Sequence, residues 1–211
     1  MDCTEAAALL GSRPDGKGTL MSPRTEPRAG APLTDWVRTV PDWPQPGILF
    51  RDLTPLWADG AAWKRAVAAL ARPFDASPPD LVLGIEARGF LVAAALAARW
   101  GTGIVLARKP GKLPGAAHRE AYALEYGSAT LESHRDLLHP GARILIADDV
   151  IATGGTAQAA LFLVRALGCV PAGFTFLVEI APLDGRARLE GSVPVHSVIV
   201  YGKDGGATVR E

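Results

Sequence analysis

The chain has 211 residues, 48% of them hydrophobic and 21% charged, with 22 Lys and Arg balancing 22 Asp and Glu. A composition at the globular average excludes a collagenous or low-complexity chain, and a net charge of zero lacks the basic footprint of a nucleic-acid-binding domain. The two cysteines, Cys3 and Cys169, are too few and too far apart for a disulfide framework, which favours a reducing, cytoplasmic setting.

Residues 11–32 are rich in Gly, Pro, Arg and Ser and have no helical or strand period. The expected organisation is therefore a flexible tail over 1–32 followed by one domain over 33–211. Met21 offers a second start, and residues 1–10 lack the basic leader of a secretory signal. Pro41, Pro44 and Pro46 then stiffen a loop that leads into Ile48-Leu49-Phe50-Arg51-Asp52. Over residues 61–71, Trp63, Val67 and Leu70 share one face of an amphipathic helix.

Short apolar runs then alternate with helical patterns. Strands are predicted at 81–85, 104–108, 143–147, 173–180 and 196–201, with helices at 90–99 and 156–167. The apolar stretch 89–107 reaches membrane-span length but contains Arg99 and three glycines, so it is read as core rather than as a membrane segment. The alternation defines an α/β fold with an open, mostly parallel sheet flanked by helices. Ligands of such sheets sit outside the carboxyl ends of the strands. Those positions hold Glu86-Ala87-Arg88-Gly89, Arg108-Lys109-Pro110-Gly111-Lys112, Asp148-Asp149 and Glu179. Mixed acidic and basic groups suit a ligand that carries both phosphates and sugar hydroxyls.

The sharpest signal is the run from Arg143 to Thr156, an apolar strand ending in Asp148-Asp149 and turning through Ala152-Thr153-Gly154-Gly155-Thr156 into a helix. Glycines admit an oxyanion close to the backbone, Thr153 and Thr156 offer hydroxyls, and the helix start presents free amides, which together make a phosphate cradle. The adjacent acids could take two ribose hydroxyls, or hold a hard cation such as Mg²⁺ through its water shell. The turn has neither the Gly-Lys-Ser/Thr ending of a P-loop nor a GxGxxG fingerprint.

This stretch resembles the phosphoribosyl pyrophosphate (PRPP) motif of type I phosphoribosyltransferases. Four further segments, 41–52, 84–90, 108–114 and 124–127, resemble adenine phosphoribosyltransferases in the same order, so the likeness runs from about Thr34 to Tyr201. The resemblance implies a type I phosphoribosyltransferase fold with a small N-terminal hood and a flexible active-site loop. It implies Mg²⁺-dependent transfer from PRPP to adenine, giving AMP and pyrophosphate in a homodimer, with no nucleic-acid or membrane partner.

By the same resemblance, residues 152–156 hold the 5′-phosphate and Asp148 and Asp149 the ribose hydroxyls. Arg88, Lys109 and Lys112 meet the pyrophosphate, and the Glu86-Ala87 bond falls where the family has a non-proline cis peptide. Glu125 is the catalytic acid and Tyr126 closes beside PRPP. Phe50 stacks on the adenine while the backbone of Leu49, with Arg51, reads its edge. The metal is expected on PRPP and water, near Asp148 and Asp149, rather than in a protein cage. Residues 111–130 have few core signals and are expected to form an active-site lid that excludes water. Pro110 stands where some members carry a third basic residue. A transferase for another nucleobase and a non-catalytic PRPP-sensing regulator are the competing readings.

Overall fold

The longest buried runs of the chain become the middle of one sheet. The computed structural model describes residues 30–114, 117–124, 127–189, 191 and 193–210, so the expected tail lies almost wholly outside the described residues. Strand β1 (Arg38–Pro41) pairs antiparallel with β2 (Leu49–Asp52) to form the hood. Its turn is fastened by Gly47 N–H donating to Asp42 Oδ1 at 2.7 Å. At its base Arg38 Nη2 lies 2.6 Å from Asp52 Oδ2. Helices α1 (Thr54–Ala58) and α2 (Gly60–Ala71) follow, the second capped by Asp59, whose Oδ1 accepts from Ala62 N–H at 2.7 Å.

The chain then runs through β3 (Leu81–Ile85), α3 (Gly89–Trp100) and β4 (Gly103–Ala107). Next come β5 (Ala117–Leu124) and β6 (Gly127–His134), and then β7 (Arg143–Ile151), α4 (Gly155–Ala166), β8 (Val170–Ile180), β9 (Val195–Tyr201) and β10 (Ala207–Val209). The six-stranded sheet has the order β10-β9-β8-β7-β3-β4, parallel except where β10 pairs antiparallel with β9. This is the α/β architecture expected from the alternating pattern. The predicted strands and helices are all present, with ends that coincide or shift by at most four residues.

Side-chain alternation on β7 divides the core. Leu145 and Ala147 face a cluster built from α1, α2 and α3, and Ile144 and Ile146 face a second cluster built on α4. Phe174 and Phe176 on β8 stack with ring centroids 5.8 Å apart in the second cluster. On α2, Leu70 is fully buried and Trp63 and Val67 pack partly buried against the same cluster, as the helical period requires. No helix among the described residues is long and apolar enough to cross a membrane.

Two elements are present that the sequence pattern did not announce. The segment expected to form the lid contains the antiparallel β5–β6 hairpin, in register from Ala117↔His134 to Leu124↔Gly127. A two-stranded ribbon is held by its own ladder and shows no strong apolar alternation, which is why the sequence concealed it. The C-terminal residues supply β10, an edge strand too short to carry a period.

Candidate active site

The buried turn after β7 and the start of α4 build the centre of the site. Asp148, residues 150–156 and Ala157 line a cavity of about 100 Å³. Gly154 takes φ +79°, which brings the chain around into α4, and the N-terminal amides of that helix point at the cavity. Thr153 and Thr156 are exposed to it, while Gly154 and Gly155 are buried. All five residues expected to cradle a phosphate are thus brought together.

The space for this turn is made by a second glycine. A 3₁₀ turn, Ala181–Leu183, follows β8 and ends in Asp184 at φ +53° and then Gly185. A Cβ on Gly154 would strike the Gly185 carbonyl oxygen, and a Cβ on Gly185 would strike the Ala152 carbonyl and come within 2.7 Å of Gly154 N. Backbone therefore packs on backbone beneath the cradle. Arg186 anchors the Gly185 segment. Its Nε donates to Glu179 Oε1 at 3.0 Å, its Nη2 to Oε2 at 2.6 Å, and its Nη1 to the Val195 carbonyl at 2.8 Å. Burial would raise the Glu179 pKa, but the bonds from Arg186 and Ser197 hold it below the ordinary value. Glu179, expected as one of the ligand-facing charges at the strand ends, is instead committed to this anchor.

The acid pair lies at the edge of the same cavity. Asp149 is buried and Asp148 Oδ1 accepts from Asp149 N–H at 2.8 Å. Arg88 Nε approaches Asp149 Oδ2 to 2.7 Å as an ion pair. Burial, and next the charge of Asp149, push the Asp148 pKa well above its ordinary value. Burial also raises Asp149, against the opposing charge of Arg88. Gly89 lets the α3 N-terminus come this close, because a Cβ there would lie 2.8 Å from Asp148 Oδ1.

A raised carboxylate pKa destabilises the folded state once the group is ionised. The unfolded chain gives up the proton first, so stability falls as pH rises through the ordinary value of 3.8, and the cost is complete above the raised native value. Asp148→Asn is therefore expected to raise the Tm of the ligand-free protein by about 3 °C or more at neutral pH. The gain should shrink as pH falls through 3.8 and approach zero below pH ~3, where the wild-type carboxyl is protonated in both states. The amide oxygen can still accept from Asp149 N–H. Thermal melts of both proteins across this range check it, and a Tm difference independent of pH would refute it.

The groups expected to meet pyrophosphate come from two loops. The Glu86-Ala87 peptide bond after β3 is cis, as the resemblance implied. Glu86 Oε2 accepts from Lys109 N–H at 2.8 Å and Oε1 from Arg108 Nη2 at 3.1 Å. The Lys109 amide first, and then Arg108, hold the Glu86 carboxyl below its ordinary pKa. Lys109 and Lys112 are exposed. Arg108 Nη1 donates to the Lys112 carbonyl at 2.9 Å, drawing the loop into a tight bend.

The hood delivers Phe50 to the same place. Its ring is half-buried, meets Trp43 edge-on at 4.4 Å between centroids, and has the Arg88 guanidinium 5.6 Å from its centre. The Arg51 guanidinium stacks on the Tyr201 ring at 3.8 Å, and Leu49 is exposed beside it. Glu125 and Tyr126 lie outside the described residues. Glu86, expected among the ligand-facing charges at the strand ends, is instead bonded to Lys109 and Arg108. Sequence reasoning gave no role to Glu132, Gly185 or Arg186, and Glu132 is buried on β6 between the buried Leu131 and Ser133.

A phosphate cradle, a ribose-sized acid pair and a cationic loop at the carboxyl edge of a parallel sheet define a phosphoribosyltransferase site. The family model of the phosphoribosyl transferase domain matches residues 58–192. An adenine phosphoribosyltransferase of Desulfitobacterium hafniense is 50% identical over 79% of this chain and 95% of its own length. Among solved structures, the adenine phosphoribosyltransferase of Rhodothermus marinus superposes with a TM-score of 0.76 at 47% identity, covering 80% of this chain and 96% of that one. The Saccharomyces cerevisiae enzyme, complexed with an imino-altritol bisphosphate and adenine, gives 0.72 at 36% identity over 78% and 95%. The chain belongs to the adenine phosphoribosyltransferase family.

Proposed function

We infer that the protein transfers the phosphoribosyl group of PRPP to adenine, releasing pyrophosphate and forming AMP in purine salvage. The observation that carries this reading is the chain of neighbours that links the cradle to the hood: Asp148 lines the cradle cavity, and its neighbour Asp149 pairs with Arg88, whose guanidinium lies over the Phe50 ring.

The amides and hydroxyls of 152–156 take the 5′-phosphate, and the acid pair takes the two ribose hydroxyls. Arg88, Lys109 and Lys112 take the pyrophosphate. As the bond at the anomeric carbon breaks, positive charge develops on the ribose and negative charge on the leaving group. The acid pair lies on the ribose side and the cations on the pyrophosphate side, positioned before reaction begins. Phe50 stacks on adenine, the backbone of Leu49 with Arg51 reads its edge, Glu125 exchanges the proton of the purine ring and Tyr126 closes beside PRPP. The β5–β6 hairpin acts as the lid. It packs against α4, the helix whose start forms the cradle, so closure would cover the reacting centre.

The residues fit Mg²⁺ brought in on the substrate. Among the described residues no three His, Cys, Asp or Glu side chains gather to ligate an ion, whereas Asp148 offers carboxyl oxygens at the cavity. Bound with PRPP, the ion would add positive charge to the departing pyrophosphate. Asp148 and Asp149 would stand nearest to it. A single catalytic domain over 33–211, a cytoplasmic setting and two-fold pairing belong to the same reading and are supported by the family resemblance.

The test is a spectrophotometric assay with PRPP and Mg²⁺ against adenine, hypoxanthine, guanine, xanthine and orotate. Turnover is expected with adenine and to be at least about 100-fold lower with each other base, since a site built around one hydrogen-bonding edge rejects mismatched edges strongly. Turnover on a different base would reassign the substrate. PRPP binding with no turnover on any base would move the protein to a sensing role.

A further inference from the structure

Glu132 is the most deeply buried charged side chain near the site, with no exposed surface, and it lies on β6 at the base of the hairpin. Its Oε1 accepts from Lys112 N–H at 2.9 Å and from Leu113 N–H at 3.1 Å. Its own backbone forms a two-way bridge with Arg108, N–H to carbonyl at 2.9 and 2.8 Å. The segment 108–113 is thus gripped at its start by Glu86 and at its end by Glu132. A buried carboxylate is costly unless its oxygens are met by donors, and here two of the donors are adjacent amides of one short loop.

We propose that Glu132 is a positioning residue for PRPP, holding the Lys112 end of the loop in the shape that presents Lys109 and Lys112 to the pyrophosphate and tying that shape to the hairpin. The proposal rests on the reading that these lysines meet pyrophosphate. Because Glu132 belongs to β6, displacement of the hairpin base pulls directly on the loop amides. The loop is in turn fixed to the turn after β3 through Glu86. Hairpin, lysine loop and Arg88 turn then form one mechanically connected unit on the pyrophosphate side.

Two variants separate reach from charge. Glu132→Asp keeps the charge but withdraws the acceptor by one methylene, whereas Glu132→Gln keeps the acceptor in place and removes the charge. Glu132→Asp is expected to raise the KM for PRPP at least tenfold and to weaken product inhibition by pyrophosphate by a similar factor, with the KM for adenine changed less than twofold. Glu132→Gln should recover both to within threefold. In a Lys109→Ala/Lys112→Ala background the Glu132→Asp factor should fall below threefold, because residues acting through one another are not additive. Amide hydrogen exchange at Lys112 and Leu113 should accelerate in Glu132→Asp and stay near wild type in Glu132→Gln.

PRPP and adenine KM values that rise together, or a Glu132→Asp factor undiminished in the lysine background, would overturn the proposal. Unaccelerated exchange would do the same. Lysine variants with unchanged PRPP KM, alongside accelerated exchange in Glu132→Asp, would refute the lysine assignment and leave the hold on the loop standing. Should Glu132→Asp fail to fold, unprotected Lys112 and Leu113 amides in Glu132→Gln would be the overturning result.

Discussion

Gly154→Ala is expected to lower kcat/KM for PRPP by about a thousandfold, comparable to the loss of 10²–10³ on removing a single preorganised donor from an anion hole, because here several amides shift at once. The residue has φ +79°, where a side chain costs about 1–2 kcal/mol. Its Cβ would also enter the Gly185 carbonyl oxygen, which cannot retreat because Arg186 anchors that segment to Glu179 and Val195. Relief must come from the cradle, and the amides that face the 5′-phosphate leave their positions. Gly168→Ala is the control. It has a similar φ of +75°, but its nearest neighbours are Pro140 atoms at 3.6 Å and beyond, far from the site. Both variants should lose stability, and Gly154→Ala alone should lose PRPP. Equal KM values for PRPP in the two variants would show that the cradle does not depend on the glycine pair.

Glu125→Ala should reduce kcat by a factor of about 10²–10⁴, the span of a lost general acid or base, with both KM values within a few-fold of wild type. The expectation follows from the family resemblance of Leu124-Glu125-Tyr126-Gly127. Adenine reaches its transition state by taking on or giving up a ring proton, and no other carboxylate of the proposed site is free for that. Asp148 and Asp149 serve the ribose, Glu86 and Glu132 grip the lysine loop, and Glu179 is committed to Arg186. Steady-state kinetics on adenine decide it, and an unchanged kcat would remove Glu125 from the chemistry. A rise in adenine KM alone would make it a binding group.

What was legible in the sequence followed the range of the interactions. The cradle could be read because turn chemistry is local. Asp-Asp, Thr, Gly-Gly and Thr in register between an apolar strand and a helix have few other uses. Strands β3, β7, β8 and β9 were visible because a parallel sheet covered on both faces demands unbroken apolar runs. By contrast β1, β2, β5, β6 and β10 are two-stranded or edge elements, and their short or polar sequences carry no such mark. The support of the site was hidden for another reason. Gly185 meets Gly154 across a crossover, and Glu132 meets Lys112 across twenty residues, so neither pairing leaves a trace in local pattern. Glu179 shows the same limit from the other side, since a strand-end charge looks available until the arginine seven residues on takes it up.

Arg88 pairs with Asp149 through Nε while its guanidinium carbon lies over the Phe50 ring. On the proposed reading one guanidinium therefore stands between the place for the sugar and the place for the base. Pyrophosphate drawing on that cation would change what Asp149 and the hood ring see, so the two substrates are expected not to bind independently. Linkage requires that whatever PRPP does to the affinity for adenine, adenine does to the affinity for PRPP by the same factor. The shared arginine would then make the two halves of the cleft a single thermodynamic unit.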